Sequence, residues 1–116
     1  RDWSQSDDHP RRRRWLGLDW ARVGTLSDPH DPPRGPGVYA LWDRHDEDQH
    51  LAYIGQSSTL RRRLRDHLRD RPGDLWVAHA PLPTPRFDAR HRRTEVETEL
   101  IGAHVLQHGR PPHEQF

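Results

Sequence analysis

The chain has 116 residues, 30% of them hydrophobic, and a mean hydropathy of -1.20, which allows one small core and leaves little room for a second. Its 19 basic and 18 acidic side chains nearly cancel, so the net charge of +1 does not by itself mark a polyanion partner. Cysteine is absent, which excludes disulfides and thiolate zinc sites and fits a cytoplasmic setting; no apolar run approaches the roughly twenty residues of a membrane span, and no secretory signal opens the chain. Every basic residue is arginine, the better side chain for bidentate phosphate contact, although GC-rich codon usage, which also fits the missing asparagine, is the simpler account. A start at Arg1 rather than methionine leads to the expectation of a processed or excised piece of a longer protein.

Residues 1–14 carry acids, proline and the run Arg11 to Arg14 with almost nothing to bury, and are expected to form a flexible arginine-rich arm. Residues 15–35 read as a flanking segment and a Pro-rich connector. Within them Trp15 to Val23 is an apolar cluster expected to form a short helix on the domain's flank. Residues 36–116 hold the periodic patterns. Val38 to Trp42 reads as a strand, the polar stretch Asp43 to His50 as an exposed loop, and Leu51 to Ile54 as a second strand closing a hairpin. Ser57 to Thr59 offer N-caps for a helix with Leu60, Leu64, His67 and Leu68 on one stripe, stopped by Arg71-Pro72-Gly73. Leu75 to Ala78 reads as a third strand and Pro81 to Pro85 as a rigid turn. A long helix follows from about Asp88 to Gln107, with Val96, Leu100, Ala103 and Leu106 near one face, and Gly109, Pro111 and Pro112 end it. The expected class is α/β, a small three-stranded antiparallel sheet flanked by helices in the order β-β-α-β-α.

Several side chains in this order carry chemistry. Each of the two tyrosines sits in a short apolar triplet, Gly37-Val38-Tyr39 and Tyr53-Ile54-Gly55. Either alone is usually a core residue with a satisfied hydroxyl; on paired strands the two can project to one face, where an adjacent metal or arginine lowers a phenol's pKa and favours proton abstraction. Arg63 borders the apolar stripe of the first helix, and His67 follows one turn later on the same side. Arg61, Arg62, Arg65 and Arg69 cover the other faces of that helix. With Arg11 to Arg14, Arg90, Arg92 and Arg93 they outline a phosphate-tracking surface, against which Asp66, Asp70 and Asp74 weigh. Glu97 completes a Thr94-x-x-Glu97 capping box, yet it also precedes Leu100 and Ile101 by helical spacing and so points to the apolar side, where a hard divalent cation would compensate its charge. His104, His108 and His113 have metal-compatible spacing but read better as exposed histidines.

The two triplets, the segment Leu60 to His67 and Glu97-Thr98-Glu99-Leu100-Ile101 together resemble the GIY-YIG nuclease superfamily over roughly Pro36 to Pro112. The resemblance implies a metal-dependent endonuclease acting on DNA with one Mg2+ or Mn2+ ion. It assigns catalytic roles to Tyr39, Tyr53, Arg63, His67 and Glu97, metal binding to Glu97, and makes 36–116 the catalytic domain. Arg61, Arg62, Arg65 and Arg69 are the nucleic-acid-binding candidates beside it. Additional domains or a protein partner outside this chain are expected to supply specificity. The loop between the triplets is somewhat longer than usual, and the asparagine that normally follows the proline pair is missing; Glu114 or Gln115 stands nearest. That gap keeps two other readings open, a catalytically silent nucleic-acid or protein binding module and a diverged enzyme using the site on a small molecule.

Overall fold

The computed structural model describes residues 9–10, 14–46 and 50–115, so the expected arm at 1–14 lies largely outside the described residues. Six strands and two α-helices follow in the order β1 (Arg14–Trp15), β2 (Leu18–Asp19), β3 (Ala21–Thr25), β4 (Arg34–Trp42), β5 (Leu51–Thr59), α1 (Leu60–Leu68), β6 (Trp76–Pro81) and α2 (Arg90–His108). The α/β class and the antiparallel pairing hold. The sheet, however, has four strands in the order β3-β6-β4-β5 rather than the expected three.

The extra strand comes from the stretch read as a helix. Leu16 (φ 53) and Gly17 (φ 76) both take positive φ and turn the chain between β1 and β2, and Arg14, assigned to the arm, is the first strand residue of that hairpin. Trp15 and Trp20 are then buried, with the Trp20 indole N–H donating to the Trp15 carbonyl oxygen at 3.1 Å, which delivers Ala21 to Thr25 alongside β6. An apolar cluster whose anchors are five positions apart serves a hairpin and an edge strand as well as it serves a helix.

β4 is central, and its alternation divides the core. Val38, Ala40 and Trp42 face one way with Ile54, Ala78, Ala80 and Leu100, the last from α2. Tyr39 and Leu41 face the other with Leu60, Leu64, Leu75 and Val77, the first two of these from α1. The sheet is thus sandwiched between α1 and α2, and full burial of Leu60 and Leu64 contributes roughly 2 kcal/mol each. Leu68 and Leu106, both expected on apolar stripes, are 41% and 89% exposed. α2 buries Arg93, Leu100 and His104 instead, at spacings that return to one face.

Local differences at the helix starts bear on the site. Ser57 to Thr59 continue β5 and do not cap α1; the Ser57 hydroxyl accepts from the Thr59 N–H at 2.8 Å, and Thr59 stands at the N-cap without a side-chain cap bond. α2 begins at Arg90, so Thr94 lies inside the helix and the capping-box reading of Glu97 falls away.

Candidate active site

The β4–β5 register sets the two tyrosines diagonally on one face, Tyr39 opposite Gly55 and Tyr53 opposite Leu41. Their rings are 6.1 Å apart. Gly55 is required here because a Cβ at that position would run into the Tyr39 ring and hydroxyl, and Gly37 is required because a Cβ there would meet the His79 ring. Both triplet glycines are therefore slots that let a ring from the neighbouring strand lie flat across the sheet.

α1 supplies the next two groups. His67 is 6% exposed, and its Nε2 is 2.7 Å from the Tyr39 hydroxyl. The Arg63 guanidinium also lies against the Tyr39 oxygen, and since arginine can only donate, the phenol proton is directed to His67 Nε2. Tyr39 itself is 0% exposed, and burial pushes its phenol well above the ordinary range despite the pull of Arg63. This corrects the expectation of a lowered phenol: desolvation outweighs the nearby cation. Burial, with the cations Arg71 and Arg63, drives His67 down to about 4, leaving it neutral at pH 7.

Glu97 arrives from the opposite face. β5 is an edge strand, and the Glu97 carboxylate comes to it from α2, accepting the backbone N–H of Gln56. Half-burial raises its pKa, while Arg63 and Arg90 draw it back. Arg93, one turn earlier on α2, donates Nε to the Gln56 side-chain oxygen at 2.7 Å and Nη1 to the Phe87 and Asp88 carbonyls at 3.0 and 2.7 Å. Arg93 is thus a buried strut that fixes α2 against β5 while also lining the cleft. Sequence reading missed Gln56 as well, although its place directly after Gly55 on a strand edge was the available signal.

Tyr53, Gln56, Ser57, Ser58, Thr59, Arg62, Arg63, Asp66, Arg90, Arg93, Thr94 and Glu97 line one polar cleft of about 470 Å³. Of the five catalytic candidates, Tyr53, Arg63 and Glu97 reach this cleft, while Tyr39 and His67 form a hydrogen-bonded pair behind it. The arginines separate. Arg62 joins the cleft, Arg61 lines a neighbouring groove with Arg34, Ser58 and Thr59, and Arg65 and Arg69 line neither. Arg69 is 3.9 Å from Asp66 and largely exposed.

The C-terminal segment completes the β5 edge. Glu114 N–H donates to the Ala52 carbonyl at 2.8 Å, and the Gln115 amide both accepts from Ile54 N–H and donates to Ile54 C=O, each at 2.8 Å. A glutamine side chain thereby fills a two-point bond near the position where an asparagine was expected. His104, expected at the surface, is 3% exposed and its Nδ1 donates to the Arg110 carbonyl at 2.8 Å. Among the described residues no group of three or more His, Asp or Glu is arranged to hold a metal ion.

Three buried histidines make the fold sensitive to acid. His67, His79 and His104 are all held down to about 4, chiefly by burial. In the unfolded chain each binds a proton near pH 6.5. Stability is therefore complete above pH 6.5 and is lost as the pH falls from 6.5 toward 4, by on the order of several kcal/mol in total. Urea midpoints measured at pH 7.5, 6 and 4.5 are expected to fall at each step, most steeply between pH 6 and 4.5; a flat series would contradict the burial of these rings.

Residues 35–75 match the family described as the GIY-YIG catalytic domain. Curated relatives named UvrABC system protein C share segments with the chain: 28% identity over 79 residues in Rhizobium meliloti (68% of this chain, 11% of the relative) and 28% over 92 residues in Haloarcula marismortui (79% and 14%). The relative of that name in Acidothermus cellulolyticus is 39% identical over 67 residues (56% and 10%). The chain thus spans 10% to 14% of the length of these relatives. No solved structure matches it. Among the described residues no helix is long and apolar enough to cross a membrane. The matched span contains both tyrosine triplets and all of α1, so it is over this stretch that the chain is similar to the GIY-YIG catalytic domain.

Proposed function

We propose that this domain is a metal-dependent endonuclease that hydrolyses DNA phosphodiester bonds in the cleft between β5, α1 and α2. The observation that carries the reading is the convergence of Tyr53, Arg63 and Glu97 on one cleft, with the Tyr39–His67 pair directly behind it. Glu97 is a half-buried carboxylate on a polar cleft that Asp66 also lines, which suits Mg2+ or Mn2+, ions that keep several waters and take one or two carboxylates together with substrate phosphate. When bound, such an ion neutralises phosphoryl charge and eases ionisation of a water.

The remaining steps belong to the chain. Tyr53 orients the phosphate or the attacking water, and Arg63 offsets charge developing on the phosphoryl oxygens. An entering phosphate competes with the Tyr39 oxygen for the Arg63 guanidinium, and its departure uncovers the phenol. Tyr39 accepts the water's proton as it passes its own to His67, a relay that never requires a standing phenolate and so tolerates a raised phenol. Withdrawal of Arg63 also removes one of the cations that hold His67 neutral. The direct test is nicking of a supercoiled plasmid with and without Mg2+; relaxation without added metal, or none with it, goes against this mechanism.

Complete burial of Tyr39 favours a second reading, a binding module with a silent site. Salt-sensitive DNA binding with no metal-dependent cleavage is the outcome that would select it. Under either reading the arginines divide by position. Arg62→Ala and Arg90→Ala are each expected to weaken DNA binding and to lower the salt slope by about one, whereas Arg65→Ala and Arg69→Ala leave both nearly unchanged. Fluorescence anisotropy over a salt series checks this, and equal losses from all four would mean that the cleft does not set the track.

A further inference from the structure

Arg71 stands on the loop after α1, in a stretch the sequence marks only as a helix stop. Its backbone N–H donates to the His67 carbonyl at 3.1 Å, which ties it to the last turn of the helix that carries His67. Its guanidinium carbon sits 4.9 Å from the centre of the Tyr53 ring, within cation–π range. On its far side Nη2 donates to the Glu114 carbonyl at 3.4 Å, and Nε lies 3.6 Å from the Glu114 carboxylate, an ion pair whose arginine side chain is 15% exposed. Glu114 is itself bonded to the outer edge of β5 through Ala52. The Tyr53 ring in turn packs against the His67 ring at 4.7 Å.

We propose that Arg71, anchored by Glu114, is a positioning residue that fixes the Tyr53 ring against His67 and thereby sets the Tyr39–His67 pair. The mechanistic part rests on the nuclease reading above. The geometric part does not. Arg71 is not itself among the cleft-lining residues, so its influence passes through Tyr53 and His67. A charge held over a ring and beside an imidazole acts on both: it restrains the Tyr53 plane, and it opposes a second positive charge on His67. The groups that face His67 are Arg71 and Asp70 beyond the end of α1, Arg63 and Asp66 within it, and Tyr39 and Tyr53 from the sheet. Arg71 precedes Arg63 in strength among the cations that lower it, and both acids act in the opposite sense.

The alternative is that Arg71 merely staples the C-terminal segment to the fold, and the two differ in what they do to His67. Proton NMR of the histidine ring signals, with His67 assigned by its loss in His67→Gln, gives the titration midpoint directly, without reference to activity. In Arg71→Gln the midpoint is expected to rise by about one unit, and the acid limb of the nicking rate to move by the same amount. Arg71→Lys restores the charge and is expected to return the midpoint while leaving the Tyr53 ring resonances displaced. An unchanged midpoint in folded Arg71→Gln overturns the proposal, whatever happens to cleavage or stability. If Arg71→Gln does not fold, Arg71→Lys decides: displaced Tyr53 resonances support the proposal and undisplaced ones overturn it. A raised midpoint in a protein that cuts nothing would leave Arg71's placement standing and remove the nuclease reading instead.

Discussion

Replacing Glu97 by glutamine is expected to reduce metal-dependent plasmid nicking by about 100- to 1000-fold while leaving the fold intact. Glutamine keeps the size of the side chain and an oxygen that can accept the Gln56 N–H, so the packing of α2 on β5 survives. The lost property is the negative charge in the cleft. Removing a half-buried carboxylate also relieves its desolvation, so thermal stability is expected to hold or rise slightly. Arg63→Ala acts on the same step from the other side: it deletes the cation against Tyr39 and opens the cleft floor, with a comparable loss of rate. The two variants differ in DNA affinity, which falls with Arg63→Ala and is maintained or increased with Glu97→Gln. Undiminished nicking in both would mean that the chemistry is elsewhere.

The second large effect concerns stability and the site together. Gly55→Ala places a methyl group where the Tyr39 Cζ and hydroxyl already lie, in a strand whose backbone is held by β4 on one side. The ring cannot yield by rotating an exposed tail, because Tyr39 is fully buried and bonded to His67. Overpacking of this kind costs about 1–3 kcal/mol, and the position favours the upper end. Calorimetry or urea unfolding reads the loss. A folded remnant is expected to show a broken Tyr39–His67 pair as a changed His67 titration. Gly102→Ala, which meets nothing within 4 Å in the middle of α2, is the matching control and is expected to be neutral or stabilising. Equal effects from the two would contradict the packing of Tyr39 over β5.

The parts of this arrangement that sequence made legible are those carried by short-range periodicity. Two triplets ahead of turns read as a hairpin, an arginine beside an apolar stripe read as a helix flank, and a glutamate three before Leu100 read as inward. Strands β4, β5 and β6, the helices α1 and α2, and the placement of Tyr53, Arg63 and Glu97 on one cleft follow from them. What escaped depends on long-range closure. Trp15 to Val23 became a hairpin and an edge strand because β6 had an open side, which no window within that segment contains. Arg71, Gln56 and Gln115 earn their places through partners 37 to 61 positions away. The depth of Tyr39 was equally hidden, since only the placement of Gly55 across the sheet tells how far that ring lies down.

The outer border of β5 is closed by side chains, with Gln115 at Ile54 and Glu97 at Gln56, and among the described residues no further strand of the sheet lies beyond it. A bare sheet margin is a template for another chain. A version trimmed before His113 would leave the Ala52 carbonyl and the Ile54 amide unsatisfied beside the catalytic candidates, and such a protein should self-associate through that margin. The short C-terminal segment at Ala52 and Ile54 thus also keeps one molecule from zipping onto the next.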